Sequence, residues 1–423
     1  MSIRAFAEGL NRTYFDGRLS TDVVDRLCEM PIDREDVRVF VERQFRFMHA
    51  GRYPAHDVSP FQAGMLASLV ARLLPERWEG RVPPITLAGR HRKIDALIAH
   101  RFPQPSRLID VACGFPPLTT FDSAAALPGW DIVGVDRSLP AFVVHDGLDN
   151  YCVFNGAGEA EYFQPLVPTT DAWNALLSDW GGSKARFEGL LHALRHEGGH
   201  GGHPHAALTV DPALASERPG LRFVRSDLAG FDGAPAHVVR CFNMLLYFDA
   251  AFRQTALEQF GALLLEGGLL VCGTDWTETM ECRYFTYAKR DGLLVPDEFA
   301  FSLDNLSALG VVPWYTLHAD DAEVTMASKM GAVLRSEVSF EARLRTCADA
   351  LRQEFGLGGR RADGYYGDPD SSPAPEMMWA NASAVSHRLD ELLAADAAQV
   401  LTHAGWPARV NEAGHVAVSL SHA

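Results

Sequence analysis

The chain has 423 residues, of which 47% are hydrophobic and 22% charged, and its formal net charge is −16. This composition is typical of a globular protein with enough apolar residues for a large core and more than one domain. A strongly acidic chain is a poor generic binder of nucleic acid, because neutralising phosphates requires Lys and Arg. We therefore expect a small-molecule substrate and no nucleic-acid partner.

The cysteine pattern and the apolar runs indicate the cellular compartment of the protein. The seven cysteines are scattered and form no C-x-x-C motif, which indicates neither a disulfide framework nor a zinc site. The N-terminal segment lacks the apolar core of a secretory signal. No run approaches the roughly 18 apolar residues that suggest a membrane span. The expectation is a cytoplasmic protein with no membrane partner.

Residues 1–100 are predicted to form a helical domain. STDVVDRLCEM has Ser20 or Thr21 as its N-cap, and DREDVRVFVERQFRFMHAGR has acids in its first turn and apolar residues at helical spacing. A third helix is predicted to end near Pro75. By analogy with related folds, this domain covers a ligand site and shapes a substrate pocket. The alternatives are an ordinary packing domain and a dimerisation domain. The second of these would make the protein a homodimer.

Four apolar runs carry a polar residue at or near their carboxyl ends. RLIDV contains Asp110 and leads into the loop ACGFPP; WDIVGVD ends in Asp136, LRFVRSD in Asp227 and AHVVRCFN in Asn243. Open α/β sheets bind ligands outside the carboxyl ends of their strands, and a helix N-terminus after the first loop suits a nucleotide. The pattern predicts a nucleotide site formed by the loops after these strands.

The order of these motifs resembles that of class I S-adenosylmethionine (SAM)-dependent methyltransferases over about residues 100–335. The resemblance implies a mixed α/β fold. It has a Rossmann-like, seven-stranded, mostly parallel sheet with a terminal antiparallel hairpin, plus the N-terminal helical domain and an inserted hairpin and helix segment. It also implies SAM as the cofactor. CFNMLLYFD is similar to the fourth-strand motif of chemotaxis-receptor glutamate methyltransferases. The cofactor-binding residues that these resemblances imply are Asp110, Ala112, Gly114, Phe115, Asp136, Arg137, Asp227, Leu228, Asn243 and Tyr247.

The first loop departs from the glycine-rich family pattern. Ala112 replaces one glycine, which is tolerable where its φ is negative. Pro116 replaces another and offers no N–H to a ligand. Pro117 suits the start of a helix. This altered loop lies where the family binds the methionine end of SAM.

Each candidate also has a simpler structural explanation. Asp136 and Asp227 are reasonable helix caps or turn residues. Asn243 is explained equally by a buried polar group that satisfies a neighbouring loop. Tyr247 suits core packing, and Asp110 suits a role in organising the turn after its strand.

The stretch between Asp136 and Asp227 is much longer than a βαβ crossover of about 12 residues requires. It predicts an insertion at about 141–215: a hairpin in NYCVFNGAGEAEYFQ, then helices, which we expect to contribute to the substrate pocket. The insertion ends in RHEGGHGGHPH, which is either a metal site or, as we prefer, a Gly/His loop. No metal is predicted.

The remaining segments complete the predicted domains, 101–335 and a helical extension at 336–423, which includes a short apolar strand in HVAVSL. QTALEQFGALLLEGG predicts a helix stopped by glycine and followed by a strand, and CRYFTYAKRDGLLVPDEFAFSL predicts a hairpin with its turn at Asp291-Gly292. The loop at 357–375 is predicted to be a surface connection, with a lid as the alternative.

The function predicted is methyl transfer from SAM to a small molecule, with specialised biosynthesis as the expected setting. Candidate general bases are Tyr247, His145 and Asp275. One alternative is transfer or cyclisation of the aminocarboxypropyl arm of SAM, which releases methylthioadenosine. Another is a non-catalytic SAM-binding subunit. A nicotinamide dehydrogenase is disfavoured, because the G-x-G-x-x-G fingerprint is absent from the loop.

Overall fold

The computed structural model describes residues 2–30, 32, 34–73, 86–167, 172, 175, 176, 178–196, 205–276, 282–306, 316–367 and 375–420. In these ranges the α-helices are α1 (Ile3–Phe15), α2 (Thr21–Leu27), α3 (Glu35–Ala50), α4 (Pro60–Leu73), α5 (Arg92–Arg101), α6 (Leu118–Ala126), α7 (Trp180–His196), α8 (Pro212–Ala215), α9 (Ala250–Leu263), α10 (Ala322–Ser336), α11 (Val338–Glu354) and α12 (Pro375–His403). None of these helices is both long enough and apolar enough to cross a membrane.

The strands of the same ranges are β1 (Arg107–Val111), β2 (Asp131–Val135), β3 (Phe142–His145), β4 (Asn150–Phe154), β5 (Ala160–Pro165), β6 (Ala207–Val210), β7 (Leu221–Val224), β8 (Ala236–Phe242), β9 (Leu264–Thr274), β10 (Arg283–Arg290), β11 (Leu293–Phe301), β12 (Ala408–Val410) and β13 (Val416–Ser419). The predicted mixed α/β class is confirmed.

Packing divides the chain into two compact units. The first comprises Met1–Leu74, Gly89–Ser106 and Ala234–Ala423, and the second comprises Pro75–Ala88 and Arg107–Gly233. The division into domains at 1–100, 101–335 and 336–423 stays a prediction.

Three parallel strands of the second unit lie in the order β1, β2, β7. The apolar runs of β1 and β2 are almost wholly buried, as expected of parallel strands covered on both faces. In β7, at the edge of this group, buried and exposed residues alternate. Gly134 in the middle strand pairs with Asp110 on one side and Phe223 on the other. A Cβ at Gly134 would lie 2.7 Å from the Phe223 ring, so only glycine fits.

The predicted insertion is a four-stranded antiparallel sheet, in the order β5, β4, β3, β6, with α7 packed on it. The β4–β5 hairpin is confirmed. Its Phe163 stacks on Phe187 of α7, with ring centroids 5.8 Å apart. Strands β3 and β6 were not predicted, because each has only four residues and β6 is mostly exposed.

The first unit holds a sheet segment in the order β8, β9, β10, β11, β13, β12, in which only β8 and β9 are parallel. The β10–β11 hairpin is confirmed, and both turn residues, Asp291 and Gly292, have positive φ (52° and 78°). It is not terminal, since the buried strand β13 pairs with β11 and β12 continues beyond it. Strand β13 lies within HVAVSL, so the short strand predicted near the end of the helical extension is confirmed.

The predicted glycine stop after the helix at 250–263 is wrong. Helix α9 passes directly into β9 at Leu264, and Gly267 (φ 77°) lies inside that strand. The pairing of β8 with β9 shifts register at this point. The glycine therefore permits an irregular strand rather than ending a helix.

The helices α1 to α4 bury their apolar faces in one cluster of the first unit, which includes Val23, Leu27 and Phe45. The predicted cap of α2 is confirmed, because the Ser20 hydroxyl accepts a hydrogen bond from the Val23 N–H at 3.3 Å. The helices of this part of the chain are therefore predictable from their capping residues and from the helical spacing of their apolar residues.

The loop at 357–367 is anchored to the first unit. Arg360 donates to the carboxylates of Asp57 (2.7 Å) and Asp349 (2.8 Å). Its guanidinium also lies 4.1 Å from the centroid of the Tyr366 ring. These contacts favour the surface connection over the lid for this part of the predicted loop; residues 368–374 lie outside the described ranges.

One buried ion pair joins α5 to β8 in the first unit. Arg240 is fully buried in an otherwise apolar strand, and its Nη1 lies 2.8 Å from Oδ1 of Asp95, which is 2% exposed. A charge in such a position is tolerated only with a partner. Asp95 is thus explained by the arginine that it neutralises.

Removing one member of this pair is expected to destabilise the protein. Asp95→Ala leaves the Arg240 guanidinium buried without its carboxylate and should lower the free energy of unfolding by about 3–5 kcal/mol. Urea denaturation followed by circular dichroism measures this. As a control, Asp95→Leu combined with Arg240→Met removes both charges and should recover much of the loss. A double variant as unstable as the single one would contradict this explanation.

Candidate functional site

The loop after β1 turns sharply, with Ala112 and Gly114 both in the left-handed region (φ 58° and 69°). The Ala112 N–H donates to the carbonyl of Val135 at 2.8 Å, which carries the loop over the end of β2. The negative φ that would make an alanine tolerable here is not found at Ala112. An alanine here costs about 1 kcal/mol or more in backbone energy, which the surrounding hydrogen bonds must offset.

Asp110 is buried near the carboxyl end of β1, at 2% exposure. Its Oδ2 accepts a hydrogen bond of 2.6 Å from the Thr120 hydroxyl of α6. This contact ties the strand to the helix that follows the loop. The carboxylate therefore organises the turn, as its simpler explanation proposed, and its contact with a ligand stays a prediction.

Asp136 follows β2 directly and is 8% exposed. Its Oδ2 accepts from the Gly114 N–H at 2.9 Å, and its Oδ1 accepts from the Ser138 N–H at 2.7 Å. Burial raises the pKa of this carboxyl, while the two N–H donors act in the opposite direction. The result is a carboxylate fixed in position between the loops after β1 and β2.

The predicted adenine-binding residues lie beyond the end of β7. Asp227 is exposed, and its Oδ1 accepts from the Gly230 N–H at 2.6 Å, so it forms a local turn. A hydrogen bond of 3.3 Å from the Ser226 N–H to the Asp136 carbonyl joins this loop to the end of the neighbouring strand, β2. Leu228 is half-buried and Arg137 is exposed. Ligand contacts of these residues stay predictions.

Phe115 points into the core of the inserted sheet. It is 9% exposed and belongs to the apolar cluster of β3, β4, β5 and α7. Its carbonyl accepts from the Tyr162 hydroxyl at 3.2 Å. Tyr162 was not singled out in the sequence, since a tyrosine in a predicted hairpin gives no signal of this contact. The inserted sheet therefore supports the loop after β1.

His145 lies on the same face of the inserted sheet. Strand register pairs it with Tyr151 and pairs Tyr151 with Gln164, two positions from Tyr162. The His145 ring lies 5.8 Å from that of Tyr151. Burial lowers the pKa of His145, which favours the neutral ring that a general base requires. Its role as a base stays a prediction.

A second group of polar residues belongs to the first unit, at the carboxyl ends of β8 and β9. Asn243 adopts a φ of 57°, which asparagine tolerates better than most residues. Its Nδ2 donates to Asp275 Oδ1 at 2.8 Å, and its Oδ1 accepts from the Asp275 N–H at 3.1 Å. The two predicted residues are therefore brought together by reciprocal hydrogen bonds.

Two residues that the sequence did not reveal complete this group. His91 Nε2 lies 3.3 Å from Asp275 Oδ2, and Arg90 Nε lies 3.8 Å from Asp275 Oδ1. Arg90 also donates to the carbonyl of Trp276 at 3.1 Å. Burial lowers the pKa of Arg90, and Asp275 raises it. The sequence GRHRK, at the start of α5, contains no motif that predicts a contact with Asp275, because the two segments are far apart in the sequence.

Tyr247 ends a 3-10 turn, Leu245–Tyr247, that follows β8. It is half-buried and packs against the apolar cluster of α1 to α4, as does Trp276. This contact favours the packing explanation. The predicted roles of Tyr247 in cofactor binding and as a base stay predictions.

The structure describes only part of the His-rich run that the sequence offered as a possible metal site. In the described ranges no group of three or more potential metal ligands converges. His200 and His203 lie outside those ranges.

The Asn243 contacts give a stability prediction. Asn243→Ala loses two hydrogen bonds and places a Cβ-bearing residue without a compensating side chain in the left-handed region. It should cost about 2–3 kcal/mol. Asn243→Gly loses the same bonds but tolerates the φ, so it should cost about 1 kcal/mol less. Chemical denaturation of both variants checks this, and equal losses would show that the backbone conformation is not a factor.

Comparison with known proteins returns SAM-dependent methyltransferases at low similarity. No protein-family model and no curated protein matches the chain. Three solved structures with partial similarity to the chain are described below. Magnesium protoporphyrin IX methyltransferase of Synechocystis PCC 6803 is 14% identical, with 43% of this chain and 55% of that chain covered and a TM-score of 0.20. The amino pentose methyltransferase CalS10 of Micromonospora echinaspora is 17% identical, with 53% and 66% covered and a TM-score of 0.22.

The sugar N-methyltransferase KedS8 of Streptoalloteichus is 16% identical, with 51% of this chain and 66% of that chain covered and a TM-score of 0.22. The chain thus spans between about half and two thirds of these proteins. TM-scores this low do not establish a shared fold, so functional assignment depends on the residues described above.

Proposed function

We propose that the chain is a SAM-dependent methyltransferase that acts on a small molecule in specialised metabolism. The observation that carries the proposal is the fixed Asp136 carboxylate. Each of its oxygens accepts one backbone N–H, from Gly114 or Ser138. The acid is therefore held rigidly at the carboxyl end of a parallel strand, where open α/β sheets bind nucleosides.

The remaining acceptor capacity of Asp136 suits a ribose. An ionised carboxylate has about four lone-pair sites, and the two backbone donors leave one on each oxygen. Two neighbouring hydroxyls of one ribose fit such a pair of acceptors better than they fit a neutral amide. Burial strengthens these hydrogen bonds by excluding competing water. Asp136 is therefore proposed to bind the ribose hydroxyls of SAM.

The loop after β1 supports the same ligand. Its left-handed turns at Ala112 and Gly114 bend the backbone back on itself, and Gly114 presents no side chain to an approaching group. We assign Asp227 and Leu228 to the adenine as part of the proposal. Asp227 is exposed, so its second oxygen is accessible to an amino group.

SAM, when bound, supplies an activated methyl group on its sulfonium. The chain contributes mainly alignment of the acceptor, which lowers the barrier by several kcal/mol or more. Whether a base is needed depends on the acceptor's pKa. The predicted bases are Tyr247, His145 and Asp275; the lowered pKa of His145 suits it to accept a proton at neutral pH.

Removing the Asp136 charge should weaken cofactor binding. Asp136→Asn replaces an acceptor with a donor, and we expect a loss in affinity for SAM and S-adenosylhomocysteine of about ten- to a hundredfold. Isothermal titration calorimetry measures it. Asp131→Asn is the matched control and should bind normally, because this half-buried residue lies at the opposite, amino end of the same strand.

The same charge sets the pH dependence of binding. The hydroxyls need an ionised acceptor, so affinity is retained above the pKa of Asp136 and lost as the pH falls through it. Because burial raises that pKa, the loss should begin at a higher pH than for an ordinary Asp. Affinity in Asp136→Asn should not show this step. A wild-type affinity that is flat down to about pH 4 would count against the assignment.

The products distinguish methyl transfer from its main alternative. With methyl-labelled SAM and a protein-free extract of small metabolites, we expect S-adenosylhomocysteine together with a labelled small molecule. Neither should form at the wild-type rate with Asp136→Asn. Liquid chromatography with mass spectrometry follows both products. Release of methylthioadenosine from SAM alone would instead identify an enzyme that uses the aminocarboxypropyl arm.

A further inference from the structure

The exposed side of α7 carries two histidines one turn apart. The helix buries Phe187, Leu190, Leu191 and Leu194 against the inserted sheet. His192 and His196 lie on the opposite, exposed side. Residues four positions apart on a helix are direct neighbours, and their ring centroids are 4.5 Å apart.

The two rings are available to a ligand. Within the described ranges, neither His192 nor His196 has a hydrogen-bond or ion-pair partner. The neighbouring Arg195 is turned towards the sheet, where its guanidinium lies 4.8 Å from the centroid of the Phe142 ring. By contrast His387, also exposed on a helix, is already paired with Glu391 at 3.1 Å.

We propose that His192 and His196 form a binding site for a divalent late transition-metal ion such as Zn²⁺ or Ni²⁺. Two imidazoles at i and i+4 on one helix face supply two nitrogens to one ion, as in helical zinc motifs. Each nitrogen must lie about 2.0–2.1 Å from zinc, so the two nitrogens lie within about 4 Å of each other. Rings 4.5 Å apart meet that requirement with small rotations.

The class of metal follows from the donor atoms. Neutral imidazole suits zinc, copper and nickel, whereas magnesium and calcium prefer oxygen ligands. With two protein ligands, water completes the coordination. Neither histidine belongs to the proposed cofactor site. Bound metal would bridge the last turn of α7 and stabilise the folded state by mass action.

The test is titration of the untagged, full-length, chelator-treated protein with Zn²⁺ alone, and separately with Ni²⁺ and Mg²⁺, by isothermal titration calorimetry. The wild type should bind Zn²⁺ and Ni²⁺ but not Mg²⁺. His192→Ala and His196→Ala should each weaken binding by at least about tenfold. His387→Ala is the matched control and should bind as the wild type does.

Thermal unfolding adds a readout of the fold. Without metal, all variants should unfold at the wild-type temperature, because both rings are exposed. With Zn²⁺ the midpoint should rise for the wild type and His387→Ala but not for the double variant. The proposal is overturned if the wild type does not bind Zn²⁺, if Mg²⁺ binds equally well, or if His192→Ala/His196→Ala keeps wild-type affinity.

Discussion

The hydrogen bond from the Gly114 N–H to the Asp136 carboxylate joins the loops that follow two neighbouring parallel strands. The backbone of Asp136 extends this junction to β7, since its N–H donates to the Val224 carbonyl at 3.2 Å. Three strand ends of the second unit therefore meet at one residue. A loop with a left-handed alanine requires such support, and the same carboxylate retains acceptor sites for a ligand. Structural and proposed functional roles coincide in Asp136.

The first unit follows a related rule, in which each of two buried charges is paired with oppositely charged or polar side chains. Arg240 is neutralised by Asp95 within an apolar strand, and Asp275 is surrounded by Asn243, His91 and Arg90. Burying an unpaired charge costs several kcal/mol, so each such group requires its partners to be present in the folded state. The polar groups at the ends of β8 and β9 are therefore linked to one another by hydrogen bonds and close charge contacts. Such order suits a site that positions a ligand, although it serves stability equally well.

Much of this architecture was predictable from short-range signals. The hairpin turn at Asp291-Gly292 and the Ser20 cap depend on backbone chemistry within a few residues, and both are confirmed. The parallel strands were visible as buried apolar runs with polar ends. Strands β3 and β6 were not, because four residues give too little periodicity. The true end of the helix before β9 was also missed, since a glycine inside an irregular strand looks the same in sequence as one that stops a helix.

The sequence by itself determined the residue types at the strand ends, the turns and the helix caps, because these depend on neighbours along the chain. Only the tertiary structure decided what those residues contact. It turned Asp110 towards Thr120 and Phe115 into the inserted sheet. It also brought Arg90 and His91 to Asp275. Such contacts join residues distant in sequence, and packing and the balance of buried charge select them. No local pattern encodes that choice.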